Sequence, residues 1–313
     1  MISSLPTAPD MAKRKFWNMR RMEWIFGYTF VLPWIIGFLT FTAIPLIFSL
    51  FTSFTNYNIT SQMNWVGLQN YFNMFTQDQF YWQSLGNTAY YVLFSVPLNT
   101  LGGITLAVML NKRIPGMRVF RTIYYLPSVL SGVAVYLLWE ELLNPSTGYI
   151  NVILSWVGIH GPAWLYDPAW TKPALILMQL WGLGGGMLLY LNAMKSTPEQ
   201  LYEAADLDGA SAWQKFLHIT LPMITPVIFF EMSTGLIGAF QVFQSAYVMT
   251  NNGGGGPLNS LLFYNLYMWN EAFVNYQVGY ANAMAWILFI IVMIITLVNL
   301  GISRYWVHYE GGD

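Results

Sequence analysis

Long apolar runs alternate with short polar ones along this chain, and the length of the runs decides the class of structure. A helix needs about 20 mostly apolar residues to cross about 30 Å of hydrocarbon. Six stretches reach that length: Ile25 to Leu50, Asn87 to Leu110, Phe120 to Leu142, Pro173 to Met194, Leu221 to Val248 and Gly279 to Ile302. The pattern predicts an all-α polytopic membrane protein with six transmembrane helices, a basic segment over 1–24, a membrane domain over 25–302 and a short tail over 303–313. The first run follows Lys13, Arg14, Lys15, Arg20 and Arg21, but it is too long for a signal-peptide core and has no small-residue cleavage site, so it reads as a retained anchor. Pro33, Pro45, Pro97, Pro127, Pro173, Pro222 and Pro226 lie in or at the ends of these runs, so bent helices are expected.

Composition narrows the function. Of 313 residues 56% are hydrophobic and only 9% charged, with a net charge of −1, which supports membrane burial and gives nucleic acid nothing to bind. The absence of cysteine removes thiol catalysis, disulfides and zinc–thiolate sites. His160, His218 and His308 are too far apart in sequence to suggest a metal site. Glu140 and Glu141 are adjacent, so on a helix they point in different directions and make a poor catalytic pair. Lys and Arg are retained on the cytoplasmic side during insertion. Lys172 alone among the 13 falls on the other side of the predicted spans, which predicts cytoplasmic N- and C-termini.

That orientation places one unusual segment, STPEQLYEAADLDGASAWQKFLHITLP, in the cytoplasm. Thr197 with Gln200 has capping-box spacing and Pro198 suits a first helical position. Gly209 should end that helix, and Ser211 with Gln214 forms a second capping box that opens another short helix running to about Thr220. Leu201, Ala204 and Ala205 would form a small apolar stripe flanked by Glu203 and Asp206. An ordinary capped loop and a docking element for another protein both fit these signals.

The spacing of Glu203, Ala204, Ala205, Gly209, Ile219, Leu221 and Pro222 resembles the EAA loop of binding-protein-dependent ABC importer permeases. NWVGLQNY, WEELLNPSTGYIN, DGASAWQKF and YVMTNNGGGGP are similar to the sugar-permease branch, the relatives of the maltose and glycerol-3-phosphate permeases. The lengthened glycine run Gly253 to Gly256 is a departure. The resemblance implies a type I ABC importer permease fold, with the EAA coupling loop at 196–222 and Asp208 beside its glycine. It further implies a second homologous permease subunit, two ATP-binding cassette ATPase subunits, an extracytoplasmic solute-binding protein and a place in the bacterial plasma membrane. ATP and Mg would be used by the ATPase subunits, this chain would bind no cofactor and perform no covalent chemistry, and transport would proceed by alternating access.

The residues agree that energy comes from elsewhere, since no G-x-x-x-x-G-K-[ST] phosphate loop occurs. A gradient-driven secondary transporter is the rival, and such proteins bury several ionisable groups. Here Glu231 alone lies well inside a run, about ten residues or 15 Å from its end. Glu231, Thr234, Gly238, Gln241 and Ser245 follow helical steps of three and four, with Gln244 beside them; a substrate path and a helix-packing face are both open readings. Sugars offer hydroxyls to amides and C–H faces to aromatic rings, so Gln179, Trp181, Tyr136, Trp139, Asn282 and Trp286 are further path candidates. The lack of Lys or Arg at depth favours a neutral sugar or oligosaccharide over glycerol-3-phosphate or another charged carbohydrate derivative. Gly182 and Gly186, four apart, form a small-xxx-small face; helix packing is the preferred reading and a contribution to bending during gating the alternative.

Overall fold

The computed structural model describes residues 19–308 except 61, 113, 251 and 252, with side chains from residue 22. Lys13, Arg14, Lys15, Arg113, Asn251, Asn252, the side chains of Arg20 and Arg21, and positions 309–313 of the expected tail therefore lie outside the described residues. The chain divides into two compact units, Met1–Phe51 and Thr52–Asp313. The described residues are helical with no strand, and an isolated antiparallel bridge joins Thr55 to Trp65.

Helix α1, Met22–Ser53, passes through a wide π turn at Leu39–Ala43. Its apolar side chains are largely exposed, Phe30 84% so. After the short α2 (Gln69–Thr76) comes α3, Gln79–Leu110, the centre of the second unit, which packs against five of the helices that follow. Its 32 residues extend about 48 Å, more than the hydrocarbon thickness. It begins eight residues before the expected Asn87, because Asp78 caps it by accepting from the amides of Phe80 (2.9 Å) and Tyr81 (3.1 Å). The mixed polar turn that follows the cap carries no membrane signal in sequence.

The third apolar run is two helices rather than the single span expected over Phe120 to Leu142. Helices α4 (Met117–Val129) and α5 (Gly132–Leu142) meet at 100°. Pro127 cannot donate to the helix ladder, and Leu130 is extended (ψ 149°), so the chain turns there. A short α6 (Tyr149–Trp156) follows. The fourth run is likewise broken, α7 (Pro168–Trp181) and α8 (Gly184–Ser196) meeting at 47° around Gly182 and Leu183. The glycines here are not a uniform packing face. Gly184 makes the close approach, since a Cβ on it would collide with the Tyr124 carbonyl of α4, whereas Gly182 stands at the break.

Helix α9, Glu199–Leu207, precedes α10, Ala212–Phe240, which is one continuous 29-residue helix. The separate short helix expected to end near Thr220 therefore does not exist; it is the first part of the span. Pro222 has no amide proton, and the chain accommodates it with a π turn at Phe216–Thr220, where the Leu221 amide donates to the Phe216 carbonyl. The span also ends earlier than Val248: the chain breaks at Gln241 and restarts as α11, Gln244–Met249. Helix α12 (Tyr264–Phe273) and the last span, α13 (Val278–Ser303), complete the order.

Two cores fill the second unit. One gathers Tyr81, Tyr91, Leu175, Phe263, Tyr264 and Met284. The other gathers Ile104, Ala107, Met187, Leu191, Ile224 and Ile228 beside the start of α10, with Trp306 against it. The His308 amide donates to the Thr225 hydroxyl at 2.9 Å, holding the segment at His308 to α10. Among the described residues four helices, or up to six counting each bent pair as one span, are long and apolar enough to cross a membrane.

Candidate functional site: a displayed helix and two adjoining cavities

Helix α9 lies outside both cores. Glu203 and Ala204 are exposed, and Leu207 at its end is 91% exposed. The helix stops because Gly209 takes a left-handed conformation (φ +71°), which lets the Ala210 amide reach back to the Ala205 carbonyl (2.9 Å) and the Gly209 amide to Asp206 (3.1 Å). Asp208 is the residue just before that turn and is also exposed. Ser211 and Gln214 do form their reciprocal capping box. Thr197 and Gln200 do not: the helix follows Pro198 with no side-chain cap, and the buried Thr197 hydroxyl makes no hydrogen bond of good geometry. The expected apolar stripe is only partly covered, with Leu201 and Ala204 exposed and Ala205 half-buried.

Two contacts tie this display to the membrane helix. Tyr202 and Thr220 share a hydroxyl hydrogen bond at 2.9 Å, and Lys215 on α10 pairs with Asp206 on α9 at 2.5 Å. Ile219, Leu221 and Pro222 are half-buried, Leu221 against the second core. The motif thus divides in space: its first half is presented outward and its second half is built into the start of α10.

Farther along α10 a cavity of about 520 Å³ opens among α3, α5, α7, α10 and α11. The breaks in the helices make it. Pro127 and Leu130 come from the bend in the third run, Trp181 and Gly182 from that in the fourth, and Gln241, Val242 and Phe243 from the gap after α10. Tyr136, Gln179, Trp181, Gly238, Gln241, Gln244 and Ser245 stand together in its wall. The Tyr91 hydroxyl donates to Gln179 Oε1 at 2.6 Å, so the Gln179 side chain is held from one side.

A second cavity of about 190 Å³ adjoins it and shares Asn99, Gln179, Gly182 and Gly235 with the first. Glu231 lines this smaller space, and the atom of Glu231 that a methyl on Gly186 would meet is Oε2, at 3.3 Å.

Other path candidates lie elsewhere. Thr234 lines neither cavity; its hydroxyl turns back to the Phe230 carbonyl at 2.9 Å. Trp139 is buried behind the wall, with its ring edge-on to Trp181 at 6.1 Å. Asn282 donates to the Thr52 hydroxyl at 2.7 Å, and Trp286 packs edge-on against Phe289 at 5.6 Å, both away from the cavities. Sequence reasoning missed Tyr91, Asn99, Tyr190 and Gly235. Asn99 carried a usable signal, an amide four residues after Ser95 in an apolar run, and its Nδ2 indeed donates to the Ser95 carbonyl at 2.9 Å. Gly235 had none, because nothing but packing assigns a glycine to a cavity.

A polytopic helical chain that displays an EAA helix at the end of a membrane helix, with a polar and aromatic cavity behind it, defines a membrane permease of the ABC importer class. Residues 99–307 match the family described as binding-protein-dependent transport system inner membrane component, and the chain belongs to that family. It is 44% identical to the probable ABC transporter permease protein YesP of Bacillus subtilis (strain 168), over 94% of this chain and 95% of that one. It is 32% identical to the lactose transport system permease protein LacF of Rhizobium radiobacter, over 92% of this chain and 97% of that one. Among solved structures it is similar to a chain of a bacterial alginate ABC transporter in complex with alginate pentasaccharide-bound periplasmic protein, at 26% identity and a TM-score of 0.80, covering 92% of this chain and 97% of that chain.

Proposed function

We propose that this chain is one transmembrane subunit of an ATP-driven importer that moves a neutral sugar or oligosaccharide into the cytoplasm. The carrying observation is the cavity in which Gln179, Gln241 and Gln244 stand with Trp181, Tyr136 and Tyr91. Amides exchange hydrogen bonds with sugar hydroxyls, and aromatic faces cover sugar C–H faces. A volume of about 520 Å³ falls within the range of small-molecule sites, about 300–1,000 Å³.

The exposed α9 and its Gly209 turn are the docking element for an ATP-binding cassette subunit, with Glu203 available to a basic partner. Two such ATPases would bind and hydrolyse ATP with Mg, and a second homologous permease would complete the path. An extracytoplasmic binding protein would deliver the sugar at the face opposite α9, which the positive-inside rule assigns to the outside. Closure of the ATPases would push on α9, and the Tyr202–Thr220 and Asp206–Lys215 contacts would carry that push into α10. The lining residues from α10 and α11 would then shift against those of α5 and α7, opening the path on one side at a time.

The test is ATP hydrolysis by the complete nanodisc-reconstituted complex as candidate binding proteins and sugars are added. Stimulation by one pair, lost in Gly209→Asp and in Glu203→Lys, is expected. Gly209→Asp puts a side chain on a left-handed residue, and Glu203→Lys reverses the charge offered to the ATPase. Undiminished stimulation in both variants would overturn the docking role of α9.

A further inference from the structure

The smaller cavity carries a feature the larger one lacks, a carboxylate. Glu231 stands one turn before Gly235 on α10, about 6 Å nearer the α9 end of that helix. Around it are Asn99, Thr100, Gln179 and Tyr190, and among the described residues no Lys, Arg or His lines the space. The Tyr190 side chain is 1% exposed and lies in the wall of this cavity beside Glu231; its hydroxyl faces Thr100 without a hydrogen bond of good geometry. A buried hydroxyl so weakly satisfied keeps hydrogen-bonding capacity for a further partner.

We infer that this cavity is a second sugar subsite, in which Glu231 and Tyr190 take the hydroxyls of one neutral ring on its way past the wide cavity and turn away rings that carry a carboxylate. The inference rests on the sugar-permease reading above and names the substrate class that the path admits. At about 190 Å³ the space is below the size of a site for a whole oligosaccharide, and it adjoins the wide cavity through Asn99, Gln179, Gly182 and Gly235. It therefore suits one ring of a chain whose remaining rings lie against Trp181 and Tyr136. A carboxylate accepts from two neighbouring sugar hydroxyls, and Tyr190 supplies a further donor or acceptor. With Glu231 ionised, a uronate ring would instead bring a second negative charge beside it with no cation in the described wall to offset it, and like charges in a poorly screened site repel strongly. Selection against acidic sugars then lies in this chain as well as in the protein that delivers them.

Equilibrium binding to the purified complex without binding protein isolates this chain's contribution. Saturation-transfer NMR would be run with a panel of neutral disaccharides (cellobiose, lactose, maltose, xylobiose) and with digalacturonate and dimannuronate. The wild-type complex is expected to bind at least one neutral sugar about tenfold or more tightly than either uronate. Glu231→Gln should bring the two classes within about threefold of each other. Tyr190→Phe should weaken neutral sugars while leaving the charge discrimination in place. Gln241→Leu, in the wide cavity alone, should weaken both classes together and serves as the control for a general packing defect. A ratio unchanged by Glu231→Gln, with neutral binding intact, would overturn this inference and leave the sugar reading standing. Failure of every sugar to bind the wild-type complex would overturn both.

Discussion

Glu271 shows how a single side chain can be judged by its surroundings. It lies on α12, outside the spans, is only 6% exposed, and accepts from Asn275 Nδ2 at 2.9 Å. Burial raises its carboxyl above the ordinary value of 4.5; the hydrogen bonds from Asn275 and Tyr267 oppose that shift, and the nearby Asp78 adds to it. Asp78 also accepts from the hydroxyls of Tyr267 (2.6 Å) and Tyr280, so α3, α12 and α13 meet at this point. The sign follows from linkage: a carboxyl raised in the folded state stabilises the fold while protonated, and that contribution disappears as pH rises from 4.5 through the raised value. Thermal unfolding of the complex in detergent should therefore show a midpoint that falls over this window in the wild type and falls less in Glu271→Gln. Parallel curves for the two proteins would remove Glu271 from the account. The position of Glu271 was invisible in sequence, where it is one acid in a mixed stretch; its burial is decided by α12 packing beside the start of α3.

The helix breaks matter most at the level of the elements. Membrane helices tolerate prolines and glycines where neighbours or a cavity satisfy the freed backbone, and here three breaks converge on one cavity. Bending was expected from the prolines, but its size was not: the third run folds through 100° and the fourth through 47°. Hydropathy averages over about 20 residues and cannot distinguish a straight span from two half-length helices of the same composition. Among the glycines of the fourth run, Gly184 is the one in tight contact. Gly184→Ala should lower the unfolding midpoint by the equivalent of about 1–3 kcal/mol, the usual cost of overpacking, because the new methyl meets the backbone of α4. Gly182→Ala meets no more than its own Gln179 carbonyl at 3.3 Å and should cost much less. Equal losses in the two variants would contradict this assignment.

Over the whole molecule, α10 connects the two places where function is proposed. It begins three residues after Gly209 and ends at the wide cavity, a length of about 44 Å for its 29 residues. Its irregularities lie in its first half, the π turn at Phe216–Thr220 and Pro226 inside the helix. If movement at α9 is to change the cavity, this helix must transmit it without bending. Leu217→Gly, which costs about 1 kcal/mol of local helix stability, should loosen that joint. The expected result is less sugar moved per ATP hydrolysed, measured in proteoliposomes, with hydrolysis itself reduced less. An unchanged transport-to-hydrolysis ratio would mean that α10 does not act as the rigid link.

The sequence by itself determined the class, and the reason is local. Runs of about 20 apolar residues have few ways to satisfy their backbone other than as membrane helices, so the all-α fold needed no tertiary information. The EAA pattern from Glu203 to Pro222 was equally legible, because its glycine turn and the Ser211–Gln214 box act between near neighbours. Only the tertiary structure decided the rest. It turned the Thr234 hydroxyl back to its own helix, left Asn282 and Trp286 outside the two cavities, and brought Tyr91, Asn99 and Tyr190 to their walls. A cavity is the space left between helices, and residues from α3, α5, α7, α10 and α11 come to share one only through packing across long stretches of chain. Periodicity along one helix says which residues share a face; it does not say what that face meets.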